Sequence, residues 1–216
     1  MLWFKEEFAI LAARFMIMLG VGVLMTSIPV IMLDMKCSPS ELGTVLAIFG
    51  FAMTFMQPFV GKLNDRYDKE TLAIIGLIGF SLSLFTFAWS ASISQLLIAR
   101  VVQGATAALV ATSTITIVAE VTPSQSMGAV LGRQGSSMSA GLAFGPLIGG
   151  IMTDAISARA PIYLCAALAV LAAIVLRLKA RSPKRDDIEE LNELEFDFNE
   201  EMVATPKHAR HQGGEL

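Results

Sequence analysis

Six apolar stretches, each long enough to cross a lipid hydrocarbon core, set the terms for this chain. They run from Phe8 to Leu33, Leu42 to Val60, Leu72 to Ala91, Leu96 to Val118, Met127 to Met152 and Ile162 to Leu178. A helix needs about 20 apolar residues to cross a core of about 30 Å. Hydrophobic residues make up 54% of the 216 residues and charged ones 16%, against roughly 25% charged in soluble domains. A water-soluble fold has too little interior to hide this much apolar surface. Short connections predict that successive helices are antiparallel neighbours. The first stretch is too long for a signal peptide, and no small-residue cleavage pattern follows it.

Charge placement gives an orientation. Lys5, Lys62, Arg66, Lys69, Arg177, Lys179, Arg181, Lys184 and Arg185 collect on one side, with only Lys36 and Arg159 on the other. Lysine and arginine are retained on the cytoplasmic side, so both termini are expected in the cytoplasm of a multi-pass, inner-membrane protein. The turn from Glu120 to Ser126 should lie on that side yet has no Lys or Arg. Ten of the nineteen acidic residues follow Arg181. The chain therefore divides into a membrane domain, residues 1–180, and a polar, acidic cytoplasmic tail, residues 181–216, whose composition favours disorder.

Several function classes are excluded. There is no basic surface for nucleic acid. Cys37 and Cys165 form neither a disulfide framework nor a metal site, and both histidines, His208 and His211, lie in the tail. No Ser-His, Cys-His or metal constellation occurs in the membrane region, so no catalytic residue, metal or cofactor is assigned and an enzyme is not expected.

Three short stretches carry the functional signal. In the fifth span, Gly141-Leu-Ala-Phe-Gly145-Pro146-Leu-Ile-Gly149-Gly150 places glycines every four residues on one helix face, with Ser137 and Thr153 extending the stripe. Such a stripe lets two backbones approach closely, which matters in lipid because packing holds helices together. Pro146 removes a backbone donor and is expected to bend the helix. In the fourth span, Leu96-Leu-Ile-Ala-Arg100-Val-Val-Gln103-Gly104 sets an arginine in apolar surroundings. That costs several kcal/mol unless it snorkels or faces a polar site, and Gln103 and Gly104 favour a polar, close-packed bundle face. Between spans two and three lies Gly61-Lys-Leu63-Asn-Asp65-Arg66-Tyr-Asp68-Lys69-Glu70, where Gly61 suits a helix end and Asp65 can cap the next helix or pair with Arg66 or Lys69. Arg14 lies near the cytoplasmic end of span one and is expected to snorkel, while Arg133 is open to either a cavity or the interface.

Taken together, these stretches resemble the major facilitator superfamily, in particular its drug:proton antiporters. The loop is similar to the signature Gly-x-Leu-Ala-Asp-Arg-x-Gly-Arg-Lys at Gly61, Leu63, Asp65 and Arg66, departing at Asp68 and Glu70. The fourth span matches Leu-x-x-x-Arg-x-x-Gln-Gly, and the fifth matches Gly-x-x-x-Gly-Pro-x-x-Gly-Gly at every fixed position. The resemblance implies an all-α, six-helix membrane bundle like the N-terminal half of such a transporter. It implies transport of a small, amphipathic molecule, with proton coupling left open because Asp34, Glu120 and Asp154 all fall at helix ends. It also implies that the Gly61-to-Glu70 loop gates the cytoplasmic side and that the fifth helix packs through its glycines on a second six-helix half. The inner face, with the Ser137-to-Thr153 stripe, Arg100 and Gln103, is then expected to lack a partner in this chain and to call for a homodimer or a second chain. A natural half-transporter and a truncated reading frame both stay open, and the runner-up to transport is a non-transporting membrane protein that binds or regulates a full-length relative.

Overall fold

The computed structural model describes residues 2–122 and 126–179, with the side chains of residues 2–7, 9, 121 and 179 left aside. The polar tail, 181–216, lies outside the described residues. Six α-helices follow one another: α1 (Leu2–Asp34), α2 (Pro39–Asn64), α3 (Lys69–Ala88), α4 (Ile93–Val121), α5 (Met127–Ala155) and α6 (Ala160–Lys179). A helix covers each of the six expected stretches, most of them running a few residues beyond the expected bounds, while α3 ends at Ala88, short of the expected Ala91.

Local chemistry sets those ends. Ser38 and Glu41 form a reciprocal capping box at the start of α2, the Ser38 amide donating to Glu41 Oε2 at 2.7 Å and the Glu41 amide to Ser38 Oγ at 3.3 Å, with Pro39 in the first helical position. Asp68 caps α3 by accepting from the Thr71 amide at 2.7 Å, and Ser92 caps α4 by accepting from the Gln95 amide at 3.4 Å. The cap of α3 is thus Asp68, not Asp65. Helix α1 closes with Lys36 at φ 55°, a left-handed turn in which the Cys37 amide reaches back to the Met32 carbonyl at 3.0 Å. Gly61 ends nothing. Helix α2 continues through it to Asn64, and the Asp65 amide bonds the Gly61 carbonyl at 3.3 Å.

Five helices, α1 to α4 and α6, are long and apolar enough to cross a membrane. α5 has the length, 29 residues, or about 43 Å at 1.5 Å per residue. It falls short in apolarity because its first half carries Arg133, Gln134, Ser136, Ser137 and Ser139 among glycines. Gln134, Gly141, Gly145 and Gly149 are buried within the bundle, so part of this polar, small-residue content faces protein.

Helix α1 packs on α5 and α6, α4 packs on α2 and α3, and α3 meets α6. Exchanging the first three helices with the last three reproduces this pattern, as in transporter halves built from internal three-helix repeats. Leu24 and Ile28 of α1, Leu77, Phe80, Leu84 and Phe87 of α3, and Ile162 and Leu176 of α6 fill the centre. By contrast α2 is mostly exposed, presenting Phe51, Phe55 and Phe59 outward.

Candidate functional site

The glycine stripe of α5 is seated on α1. A Cβ built on Gly141 would lie 2.5 Å from the Phe15 carbonyl oxygen and 2.9 Å from the Leu19 nitrogen. On Gly145 it would lie 2.7 Å from both the Gly22 Cα and the Leu19 oxygen, and on Gly149 it would strike the Thr26 hydroxyl and come within 3.1 Å of the Val23 oxygen. Gly22 answers from the other side, its own Cβ position lying 3.0 Å from the Gly145 Cα and from Pro146 Cδ. Ser137 Oγ donates to the Leu11 carbonyl at 2.8 Å. Only backbones without side chains fit at this spacing. The stripe therefore has its partner inside the chain, contrary to the expectation that it awaits a second half. Gly150 stands apart from the seam, with open space where a side chain would go. Pro146 sits within an uninterrupted α5, its ring against α1.

The fourth-span residues also find partners within the bundle, although Arg100 Nε and Gln103 Nε2 are buried without an acceptor. Arg100 is 2% exposed and donates from Nη1 to Gln103 Oε1 at 2.7 Å. Its guanidinium carbon lies 5.3 Å from the Phe49 ring centroid of α2 and 5.8 Å from that of Phe87 of α3, within cation–π range. Gly104 receives α2 closely: its Cβ position is 2.5 Å from the Phe49 oxygen and 3.0 Å from the Met53 nitrogen. So Arg100, Gln103 and Gly104 tie α4 to α2 and α3, and this face too is closed within the bundle.

Of the loop residues, Leu63, Asp65 and Arg66 are exposed while Asn64, between them, is buried. Asn64 Oδ1 accepts from Ser113 Oγ at 2.8 Å, and its Nδ2 donates to Thr116 Oγ1 at 3.3 Å. Lys69 Nζ lies 2.9 Å from Glu120 Oε1. These contacts bolt the signature loop to the end of α4, and Lys69 supplies the cation that the Glu120-to-Ser126 turn lacks. Reading by motif missed Asn64, although a polar residue at the helix end, between Leu63 and Asp65, was the available signal. At the other end of the bundle, Trp89 Nε1 donates to Tyr163 OH at 2.9 Å, an aromatic pair of the kind found at membrane interfaces.

Arg14 does not snorkel. It is 6% exposed, donates from Nη1 to Gln134 Oε1 of α5, and reaches the Ala111 carbonyl of α4 from Nη2 at 3.3 Å. Arg133, by contrast, is exposed. The three motif groups do not converge on one pocket. The loop sits at one end, the Arg100 cluster between α2, α3 and α4, and the glycine seam along α1.

The family model of the Major Facilitator Superfamily matches residues 10–211. The chain belongs to that superfamily. Quinolone resistance protein NorA of Staphylococcus aureus (strain MRSA252) is 33% identical over 191 residues, covering 88% of this chain and 49% of NorA. Multidrug resistance protein 1 of Bacillus subtilis (strain 168) is 30% identical over 177 residues, covering 82% and 45%. The chain spans about half the length of the curated relatives it matches. Among solved structures, a bacterial homolog of the human lysosomal transporter Spinster, in an inward-facing and unoccupied conformation, superimposes with a TM-score of 0.75. It is 17% identical and covers 83% of this chain and 43% of that one, and it shows the shared fold. As a superfamily member with helices apolar enough to cross a bilayer, the chain is a multi-pass membrane protein.

Proposed function

We propose that this chain supplies one six-helix half of a pathway that moves small, amphipathic molecules across a membrane, in the manner of multidrug efflux. The observation that carries this reading is the α1–α5 seam: the ten-residue glycine pattern coincides with backbone contact at Gly141, Gly145 and Gly149. The names of its relatives, a quinolone resistance protein and a multidrug resistance protein, support efflux of drug-like solutes. Transport, not chemical conversion of a substrate, is the activity.

A second six-helix body completes the pathway, in keeping with a chain that spans about half the length of the curated relatives it matches. The seam and the Arg100 cluster are closed within the chain, so the joining surface is elsewhere, and the sparsely covered face of α2 with Phe51, Phe55 and Phe59 suits it. Gly61, Leu63, Asp65 and Arg66 form the gating loop at the cytoplasmic end, held by Asn64 to α4. Arg100, Gln103 and Gly104 brace the opposite end of α4. Both termini are cytoplasmic, in the cell membrane. Every described acidic residue lies in a loop or near a helix end, so proton coupling draws on a carboxylate of the second body.

Ethidium flux in vesicles reconstituted at increasing protein density is the direct test. Two copies forming one pathway predict flux rising with the square of density. Flux linear in density would mean that one copy suffices. Absence of flux with folded protein at every density, and after co-expression with a second six-helix half, would refute the transport reading.

A further inference from the structure

We infer that Arg14 is a latch, which ties α4 to the α1–α5 pair across the weakest side of the bundle and limits how far the two can part. Helices α1, α6, α3 and α4 close a ring through successive contacts, α1 on α6, α6 on α3 and α3 on α4, with α5 fastened to α1 and α2 to α4. The three well-packed sides are held firmly. On α3, the Cβ position of Gly76 lies 2.9 Å from Leu109 Cβ and 3.0 Å from the Thr106 carbonyl of α4. Between α3 and α6, Ser81 Oγ donates to the Ala166 carbonyl at 2.8 Å, and Trp89 to Tyr163. The fourth side, α1 to α4, is thin by comparison.

Arg14 spans that thin side. Its buried guanidinium donates from Nη1 to Gln134 Oε1 of α5 and from Nη2 to the Ala111 carbonyl of α4 at 3.3 Å. Beside it lies a crevice of about 10 Å³ between Ile17 and Met18 of α1, Val110 and Ala111 of α4, and Met138 of α5. That is room for about one water molecule, a gap that a tightly packed seam does not leave. The two ends of the tie are unequal. Arg14 and Gln134 stand on helices already joined by the glycine seam, whereas the bond to α4 is long for an N–H···O contact. The fixed end therefore belongs to α1 and α5, and the releasable end to α4.

The tie is costly. Gln134 turns its oxygen to Arg14 and leaves Nε2 buried without an acceptor, and an apolar replacement for a buried ionic group is often neutral or stabilising. What the guanidinium adds is direction, since its planar fork holds acceptors on two helices at once. Arg100 and Gln103 make a similar pair, but both stand on α4, against Phe49 of α2 and Phe87 of α3. That pair stays within one group of helices, whereas Arg14 crosses from one group to the other. Without it, α4 and the attached α2 can swing away from α1 and α5 about the α3–α6 contact.

Double electron–electron resonance on the full chain in phosphatidylcholine nanodiscs measures that opening. Spin labels at Phe8→Cys and Ile115→Cys, both exposed positions toward the same end of α1 and α4, report the thin side. Labels at Ile75→Cys and Leu171→Cys, exposed on α3 and α6, report the firm one. Cys37→Ser serves as background, because Cys165 is buried. Arg14→Met, which keeps a long side chain without donors, should lengthen the α1–α4 distance by about 2 Å, the scale of helix shifts at packed interfaces. The α3–α6 distance should stay as in the parent. Arg14→Lys keeps the charge but lacks the fork. It should lengthen the α1–α4 distance in the same sense, and it carries the test if Arg14→Met does not fold. An α1–α4 distance unchanged in a folded variant overturns the latch, as does equal lengthening at both pairs, which is general loosening. Failure of both variants to fold also overturns it, because Arg14 would then be needed for the bundle itself. The readout is a distance and not flux, so the latch and the transport reading stand or fall separately.

Discussion

Replacing Gly145 with alanine isolates what the α1–α5 seam contributes. The new methyl carbon would stand 2.7 Å from the Gly22 Cα and the Leu19 oxygen, where ordinary contact begins near 3.4 Å, so the helices must part by about 0.7 Å there. The atoms it meets are mostly backbone, which cannot rotate away as a side-chain tip would. Forced overpacking of this kind costs about 1–3 kcal/mol, and separation also weakens the neighbouring contacts at Gly141 and Gly149. Gly150→Ala is the matched control: it lies on the same helix with open space around its Cβ position. Any gain from alanine's better helix propensity, up to about 1 kcal/mol, applies to both variants and cancels in the difference. Unfolding in detergent micelles, followed by helical circular dichroism, should therefore place Gly145→Ala about 1–3 kcal/mol below Gly150→Ala. Gly145→Leu should go further and lose transport while still inserting. If the two alanine variants unfold within about 0.5 kcal/mol of each other, a difference ordinary for surface changes, the seam does not hold the helices as described.

Arg100→Lys retains the charge but loses the fork that donates to Gln103 between Phe49 and Phe87, a loss of about 1–2 kcal/mol. It should insert normally and cut ethidium flux at least several-fold, and wild-type flux would show that a point charge suffices. Asn64→Ala leaves the Ser113 hydroxyl without its acceptor, while Thr116 keeps its bond to the Thr112 carbonyl, and should lower stability by about 1–3 kcal/mol; an unchanged unfolding temperature would mean that the loop is anchored by other contacts. Cys37, half-buried in the α1–α2 turn, should react from outside intact cells with an impermeant maleimide while Cys165, buried in α6, stays protected, and labelling of Cys37 only after permeabilisation would invert the topology.

The helices were legible because lipid leaves few choices. Apolar runs of about 20 residues mark the starts of α2 to α6 within about three residues. The caps of α2, α3 and α4, which are Ser38, Asp68 and Ser92, went unread, and Asp65 looked like a cap instead. Helix ends were harder to read. Gly61 looked like a stop because glycine favours left-handed turns, but α2 runs through it to Asn64. Among the described residues the left-handed conformation falls at Lys36, after α1, a residue with no such preference. Arg14 was misplaced for a related reason. Distance along α1 suggests that its side chain can reach the interface, whereas its fate is decided by Gln134, 120 positions away, and no local pattern couples the two.

The glycine stripe teaches a sharper distinction between a face and its partner. Spacing by fours identifies which side of α5 is approached closely, but it says nothing about which helix approaches. The available clue was in α1, where Gly20-Val21-Gly22 offers a second bare backbone, and Gly22 is the residue that meets Gly145. The departures from the loop signature have a similar local logic. Asp68, where the signature has glycine, caps α3 through the Thr71 amide at 2.7 Å, and Glu70, where it has a basic residue, is buried. With Asn64 bolted to Ser113 and Lys69 paired with Glu120, the loop is tied to the end of α4 on both sides of Asp65 and Arg66. Those two exposed residues are thus presented on a braced turn. On the gating role proposed above, a displacement of α4 would be transmitted to Asp65 and Arg66 through Asn64 and Lys69, with little lost to the flexing of the loop.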